Sequence, residues 1–582
     1  MMQKHATERI ISARLCLLLS VTILAPALLS GCSQQDRPAG TGPAQSELAK
    51  HSDEFKKDII TVTEGVHVLV GYGLANVIVL EGPGACVLVD TMESAEAAAR
   101  VKKDVDTLVK GKPLRAILYT HFHSDHTFGA GVFTENRNVD IYAHESTVAF
   151  LDRITSVTRE TTFRRATRQF GTMLPRKDFV NSGIGPFLDF NAQSTVALKR
   201  PTKMFTGHRT ELVLAGIRMV VVHAPGETDD QIFIWLPDKR VLLPADNFYR
   251  SFPNLYAIRG TAYRDVMKWV ASLDEMRQLN AEYLVPSHTR PMTGSEQIYQ
   301  ALTDYRDAIQ YVHDQTIRLI NRGMTPQEIV EAVKLPEHLA QKPWLQEFYG
   351  TVAWSVRAIF SGYLGWFGGN ATDLFPLPRK EKAARMADLA GGESALMDRA
   401  HRAFEQGDFQ WSLELADHII ALDPDDSAAR KLRSDCLRKL GELQKAATAR
   451  NYYLTSSLEE SGKLSIKDRK IHERDVVHSV PLEAIFRGMA VRLDPEKSVE
   501  VNRSVVFHFP DRGEYWTVTV RRGVAEISRG RMKGADTTVT VDSNLWKEIA
   551  AGMTSPVIAF SSGKVAVQGG SFDFVRFLYL FR

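Results

Sequence analysis

The sequence predicts an α/β domain followed by a helical region and a small α+β module. Three observations carry this. Between about residues 58 and 295, short apolar runs bounded by glycine and proline alternate with a polar stretch of helical period. Beyond residue 296 the apolar spacing becomes helical, with Gly, Asp and Pro as punctuation. From about residue 471 it returns to β-type alternation.

The first 31 residues read as an address. Lys4, Arg9 and Arg14 precede the apolar run LCLLLSVTILAPALL, which is short for a membrane span and is closely followed by polar sequence. Its end, LLSGC, resembles the lipobox of bacterial lipoproteins. That implies a lipidated Cys32 as the first mature residue, a membrane partner through the lipid anchor, and a place in the periplasm or at the outer membrane. SQQDRPAGTGPAQS then reads as the start of a polar tether over 32–52. Cys86 and Cys436 remain, too far apart in sequence to suggest a disulfide framework, and Cys86 within ACVLVD reads as a buried core residue.

The runs GVHVLVG, ANVIVLEG and GACVLVDT read as strands, MESAEAAARVKKDVDTLVK as a helix, and LRAILYT and VDIYAHEST as further strands. ELVLAGIRMVVVHAPG, QIFIWLPDKRVLLPADN and AEYLVPSHT repeat the theme. YRDAIQYVHDQTIRLINRG and the stretch from SALMDRAHRAFEQG to ARNYYLTS are helical, with one tetratricopeptide-like unit around Gly407, Trp411, Ala416 and Pro424, too little for a solenoid. SVVFHFP, YWTVTVRRGVAEISRG and DTTVTVDS, the helix NLWKEIAAGM and the closing GKVAVQGG make the last module.

With 582 residues the chain exceeds a single core, and three domains are expected. A hydrophobic share of 44% beside 24% charged residues excludes a disordered chain. The balance of 72 basic against 69 acidic residues lacks the basic excess of a nucleic-acid binder, so no nucleic-acid partner is expected.

The chemistry concentrates in THFHSDH. In extended backbone His121 and His123 face the same way while Phe122 turns into packing, so two imidazoles can share one ion. A turn through Ser124 brings Asp125 and His126 toward a second position. Imidazole and carboxylate donors suit zinc, with iron or manganese possible. Two metals need more ligands, and Glu227 after VVVHAPG, Asp246 after VLLPA and His288 after YLVPS each follow an apolar run and a proline-containing turn. A carboxylate such as Asp246 can bridge two ions and leave a water between them as nucleophile. His144, His208 and His223 read as solvated residues at strand ends.

THFHSDHTFGA, with NVIVLEG and VLVDT before it and APGETDD, LLPADN and VPSHT after it, resembles the metallo-β-lactamase fold, an αββα sandwich with a dinuclear metal edge, over roughly 57–296. Most of that superfamily carries histidine where this chain has Glu227. Glutamate there, together with FPNLYAIRGTAYRD and SGYLGWFGGNATDLFPLP, is similar to the alkyl sulfatases. The resemblance implies a catalytic domain over 53–296, a helical dimerisation region over 297–465 that makes a homodimer, and a sterol-carrier-like domain over 466–582. It implies two zinc ions on the seven side chains named above, with Asp125 and Asp246 catalytic, and an amphiphilic sulfate ester as substrate, its head gripped by Asn254 and Arg259 through charge-assisted bonds. The family usually has glutamate at Asp246. Tyr363, Trp366 and Phe367 fit either packing at a domain junction or an alkyl channel. The rival expectations are hydrolysis of another ester on the same scaffold, whether phosphoester, thioester or lactone, and a non-catalytic lipid-binding protein.

Overall fold

The structure, a computed structural model, describes residues 43–135, 138–469 and 473–581. The leader, Cys32 and the tether up to residue 42 lie outside the described residues. Among the described residues no helix is long and apolar enough to cross a membrane.

Two sheets face each other. The first runs in chain order: β1 (Asp58–Thr63), β2 (Val66–Val70), β3 (Val77–Glu81), β4 (Cys86–Val89), β5 (Leu114–Leu118), β6 (Asp140–His144) and β7 (Lys203–Phe205), antiparallel up to β4 and parallel from β4 onward. The second holds β8 (Arg209–Leu214), β9 (Ile217–His223), β10 (Ile232–Leu236), β11 (Val241–Leu243), β12 (Tyr283–Leu284) and β13 (Met292–Thr293), neighbours in that order. Alternation along each strand divides the apolar side chains between two layers. Val66, Val68, Val221 and Ile234 meet between the sheets. Leu69, Val79 and Ile117 turn outward onto the helix Ala95–Leu108, while Val222, Phe233 and Trp235 turn outward onto Val266–Arg277 and Ser295–Ile320. This is the expected αββα sandwich. Two of these three helices start where a side chain can accept from free backbone N–H groups, Ser94 from Ala97 and Asp265 from Met267 and Lys268.

The remaining described chain comprises a helical region, packed about Leu396, Leu415, Leu432 and Leu437, and a sheet ordered β16-β15-β14-β17-β18. Its strands are β14 (Asn502–Phe509), β15 (Glu514–Arg521), β16 (Val524–Arg529), β17 (Thr537–Val541) and β18 (Val565–Gln568), and Phe486, Trp546 and Phe574 cover it. Cys86 in β4 and Cys436 are free and buried.

Three expectations need correction. Residues 43–52 are not tether: Pro43–His51 is a helix with Leu48 fully buried, and the His51 ring stacks on Phe348 at 4.1 Å. Small and polar residues hid an element whose contacts are with distant chain. The change of period at 296 is no boundary in packing, because one apolar cluster runs from Val220 through Leu302 and Ile309 to Phe360. His144 is not solvated; it is 5% exposed and its ring stacks on His223 at 3.8 Å.

Candidate active site

The site occupies one edge of the sandwich, where β4, β5, β11 and β12 end. The backbone is forced into unusual conformations there. Asp90, Ala245 and Thr289 have φ of 63°, 54° and 67°, and the last two adjoin Asp246 and His288. Each such residue costs of order 1 kcal/mol, a strain that packing must impose. The segment after β5 is tied to the second sheet by the Ile232 N–H donating to the Thr120 carbonyl at 3.0 Å, and Asp125 and His126 ride on the single turn Ser124–Thr127.

Two sets of three buried donors result, His121 with His123 and Asp246, and Asp125 with His126 and His288. Asp246 Oδ2 stands between them, 3.2 Å from His288 Nε2, 3.5 Å from His126 Nε2 and 3.6 Å from His121 Nε2. The aspartate side chain thus comes within 3.6 Å of an imidazole from each set.

Hydrogen bonds behind the rings fix which nitrogen faces the site. The Thr120 hydroxyl donates to Asp90 Oδ2 at 2.9 Å, so at 3.0 Å from His121 Nδ1 it accepts, and His121 turns the lone pair of Nε2 inward. Asp90 Oδ2 likewise accepts from His126 Nδ1 at 2.7 Å, and the Leu74 carbonyl accepts from His288 Nδ1 at 2.9 Å. His123 Nε2 accepts from Arg259 Nη2 at 3.1 Å and its Nδ1 lies 2.8 Å from His121 Nε2. Burial, with neighbouring cationic groups, holds His121 and His123 well below the usual histidine range, which keeps them neutral. Burial pushes His126 and His288 the same way, but the surrounding carboxylates, Asp125 and Asp246 among them, outweigh it and raise both. For Asp125 and Asp246 burial is likewise overcome by the adjacent imidazoles, and both carboxyls sit below the ordinary range.

These donors fit metal ions. His126 Nε2, Asp246 Oδ1 and Glu227 Oε2 are buried without a hydrogen-bond partner, an arrangement that a cation relieves. Backed imidazoles and carboxylates within reach of one another are the donor chemistry of zinc, and of iron or manganese.

Glu227 stands apart from both donor sets. It is 2% exposed and lines the same cavity, but its Oε1 pairs with Arg264 at 3.1 Å and only Oε2 is free. Burial raises its carboxyl against the opposing pull of Arg264. Its backbone N–H donates to Asn247 Oδ1 at 3.2 Å, and Gly226 makes that approach possible, since a Cβ there would lie 2.0 Å from the same oxygen.

A cavity of about 450 Å³ opens beside the donors. Asp125, His123, Glu227, Asp246 and Arg259 line its polar end, and Phe122, Phe128, Phe163, Phe170 and Phe190 its apolar length, with Arg469 and Val476 closing it from the C-terminal segment. Arg259 Nη1 and Asn254 Nδ2 are buried donors without acceptors. Tyr363, Trp366 and Phe367 do not line this cavity; Trp366 is 75% exposed. The aromatic wall comes instead from phenylalanines scattered between residues 122 and 190, which no local motif gathers.

Sequence reasoning missed Asp90 and Arg264. Asp90 accepts from Thr120 N–H and Oγ1, from Ser287 Oγ at 3.1 Å and from His126, joining the two donor-bearing segments that follow β5 and β12. Its only signal is an acid at a strand end in VLVDT. Arg264, 4% exposed, binds both the Asn254 carbonyl and Glu227, and nothing in TAYRD announces it.

Comparison with known proteins adds three family matches: the metallo-beta-lactamase superfamily over 70–288, alkyl sulfatase dimerisation over 325–462, and the alkyl sulfatase C-terminal domain over 470–582. The chain is 37% identical over 520 residues to a linear primary-alkylsulfatase of Pseudomonas sp., covering 86% of this chain and 98% of that protein. It is 28% identical to an (R)-specific secondary-alkylsulfatase of Pseudomonas sp., covering 86% and 77% of the two. A solved stereoselective inverting sec-alkylsulfatase from Pseudomonas sp. superposes with a TM-score of 0.87 at 26% identity, over 94% of this chain and 88% of that one.

Proposed function

The chain belongs to the alkylsulfatase family of the metallo-β-lactamase superfamily, and on that footing we propose that it hydrolyses alkyl sulfate esters to alcohol and sulfate at the His121–His288 site. The observation that carries the reading is the juxtaposition of two buried donor sets, a free buried guanidinium nitrogen on Arg259 and an apolar cavity leading away from both. An alkyl sulfate has an anionic head and an apolar tail, and the site has a place for each.

His121, His123 and Asp246 would hold one ion and Asp125, His126 and His288 the other, with Glu227 offering its unpartnered Oε2. Two zinc ions are the proposed cofactor, and when bound they supply an acidified water and an electrophilic field for the ester. Arg259, braced by His123, and Asn254 donate to the sulfate oxygens. Asp125 faces the cavity and accepts the proton of the attacking water. The proton that Asp125 accepts passes to the leaving oxygen, so that R–O–SO₃⁻ and H₂O give ROH and HSO₄⁻ whether the S–O or the C–O bond breaks, and the apolar wall excludes bulk water from the tail. A release assay comparing dodecyl sulfate with an aryl phosphate, a thioester and a lactone tests the reading. Sulfate release well above the other activities supports it, and turnover of another ester without sulfate release refutes it.

The homodimer and the anchor are proposed on separate grounds. Within the stretch matched to alkyl sulfatase dimerisation, Trp366, Leu374, Phe375 and Leu389 are 75%, 47%, 95% and 80% exposed, an apolar surface suited to a second copy of the chain. The leader and LLSGC support lipidation at Cys32 and residence in the periplasm or at the outer membrane. Labelling with a tagged fatty acid, lost in Cys32→Ala, is the check.

A further inference from the structure

The helix Arg159–Phe170 carries four arginines, and three have partners. Arg164 pairs with Asp468 at 2.5 Å, Arg168 with Glu459 at 2.7 Å, and Arg159 donates to the Arg469 carbonyl at 3.1 Å. Arg165 has no hydrogen bond or ion pair among the described residues, is half-buried, and lines the cavity beside the metal-donor sets. Its Nη1 lies 3.7 Å from where a Cβ on Gly260 would stand. One turn along the same helix face, Gln169 accepts from the Arg259 N–H at 2.9 Å. The helix thus presents an unpaired guanidinium to the turn that carries Arg259, whose own Nη1 is a buried donor without an acceptor.

A half-buried guanidinium without a counter-ion, on the same cavity wall as a second one, suits an anion of more than one charge. Resting on the sulfatase reading, we propose that Arg165 and Arg259 together form a product subsite for inorganic sulfate. The ester head carries one negative charge, which Arg259 suffices to meet. Hydrolysis exposes a second once HSO₄⁻ gives up its proton, and Arg165 meets that charge as it develops. Its contribution therefore falls on the bound product, and hardly on the bound ester.

The test uses the metal-loaded full-length protein and inorganic sulfate as the probe. Arg165→Gln raises the inhibition constant of sulfate about tenfold, with KM for dodecyl sulfate changed less than about threefold. Arg164→Gln, whose partner is Asp468, leaves the inhibition constant where it was. Calorimetric titration with sulfate reads the same loss without turnover. An inhibition constant within about twofold of the parent's in Arg165→Gln, or a loss confined to KM, overturns the subsite. The two readings separate: if the protein binds sulfate through Arg165 but releases none from the ester, the subsite stands and the hydrolase reading falls. If it releases sulfate and Arg165→Gln binds sulfate normally, the reverse holds.

Discussion

Arg264 Nη2 stands 3.1 Å from Glu227 Oε1, and both side chains are 2% exposed. Burial raises the Glu227 carboxyl above its ordinary range, and Arg264 opposes that rise. Arg264→Met leaves that carboxylate unpaired, so it destabilises the protein by about 3–5 kcal/mol, whereas adding Glu227→Gln recovers a good part of the loss. Urea denaturation of the single and double variants measures the difference. Equal losses would show that the pair is not coupled.

Asp90 receives hydrogen bonds from the two donor-bearing segments after β5 and β12, and its charge orients the His126 ring directly and the His121 ring through the Thr120 hydroxyl. Asp90→Asn keeps the shape and removes the preference for the His126 tautomer with its proton on Nδ1. Metal affinity falls about 10–100-fold. Competition with a chromogenic chelator reads this directly, and an unchanged affinity counts against the orienting role.

His51 fastens the N-terminal helix through its stack on Phe348 and a 2.9 Å contact to the Gly183 carbonyl. Burial lowers its value from 6.5 to about 4, so the fold holds the neutral ring. Above 6.5 both folded and unfolded states are neutral and the contact contributes fully; between 6.5 and 4 the unfolded chain takes the proton first and stability drains away. The loss totals roughly 3 kcal/mol. Denaturation midpoints across this window fall more steeply for the parent than for His51→Gln, and parallel slopes refute the assignment.

Phe375, 95% exposed, is the most uncovered aromatic of the proposed dimer surface. Phe375→Asp buries a charge in any interface that forms there, at a cost of about 2 kcal/mol or more. Sedimentation velocity then shows the dimer dissociating at concentrations where the parent stays paired. A parent that sediments as a monomer removes the proposal.

The sandwich and its polar edge were legible because they obey local rules. Near-continuous apolar runs along β2, β3, β9 and β10 report two buried faces, and HFHSDH compresses four donors into six positions. Asp246 and His288 were found by their place after apolar runs, since strand ends on one edge converge. What stayed hidden depends on contacts between distant residues. Arg264 meets Glu227 across a loop, Arg165 differs from its three helix neighbours only in lacking a partner, and Leu48 is buried in a stretch whose composition reads as linker. The helix Ser295–Ile320 was assigned to the following region by its period, yet it packs beneath the second sheet. Period identifies an element and leaves open what it covers.

Sulfate released from dodecyl sulfate, measured as metal is titrated back into chelated protein, tests the central claim most directly. The account requires that release be absent without metal, rise with bound zinc toward two ions per chain, and fall at least about tenfold in Arg259→Ala at full occupancy. Release that persists in chelated protein, or no sulfate at any level of restored metal, contradicts it.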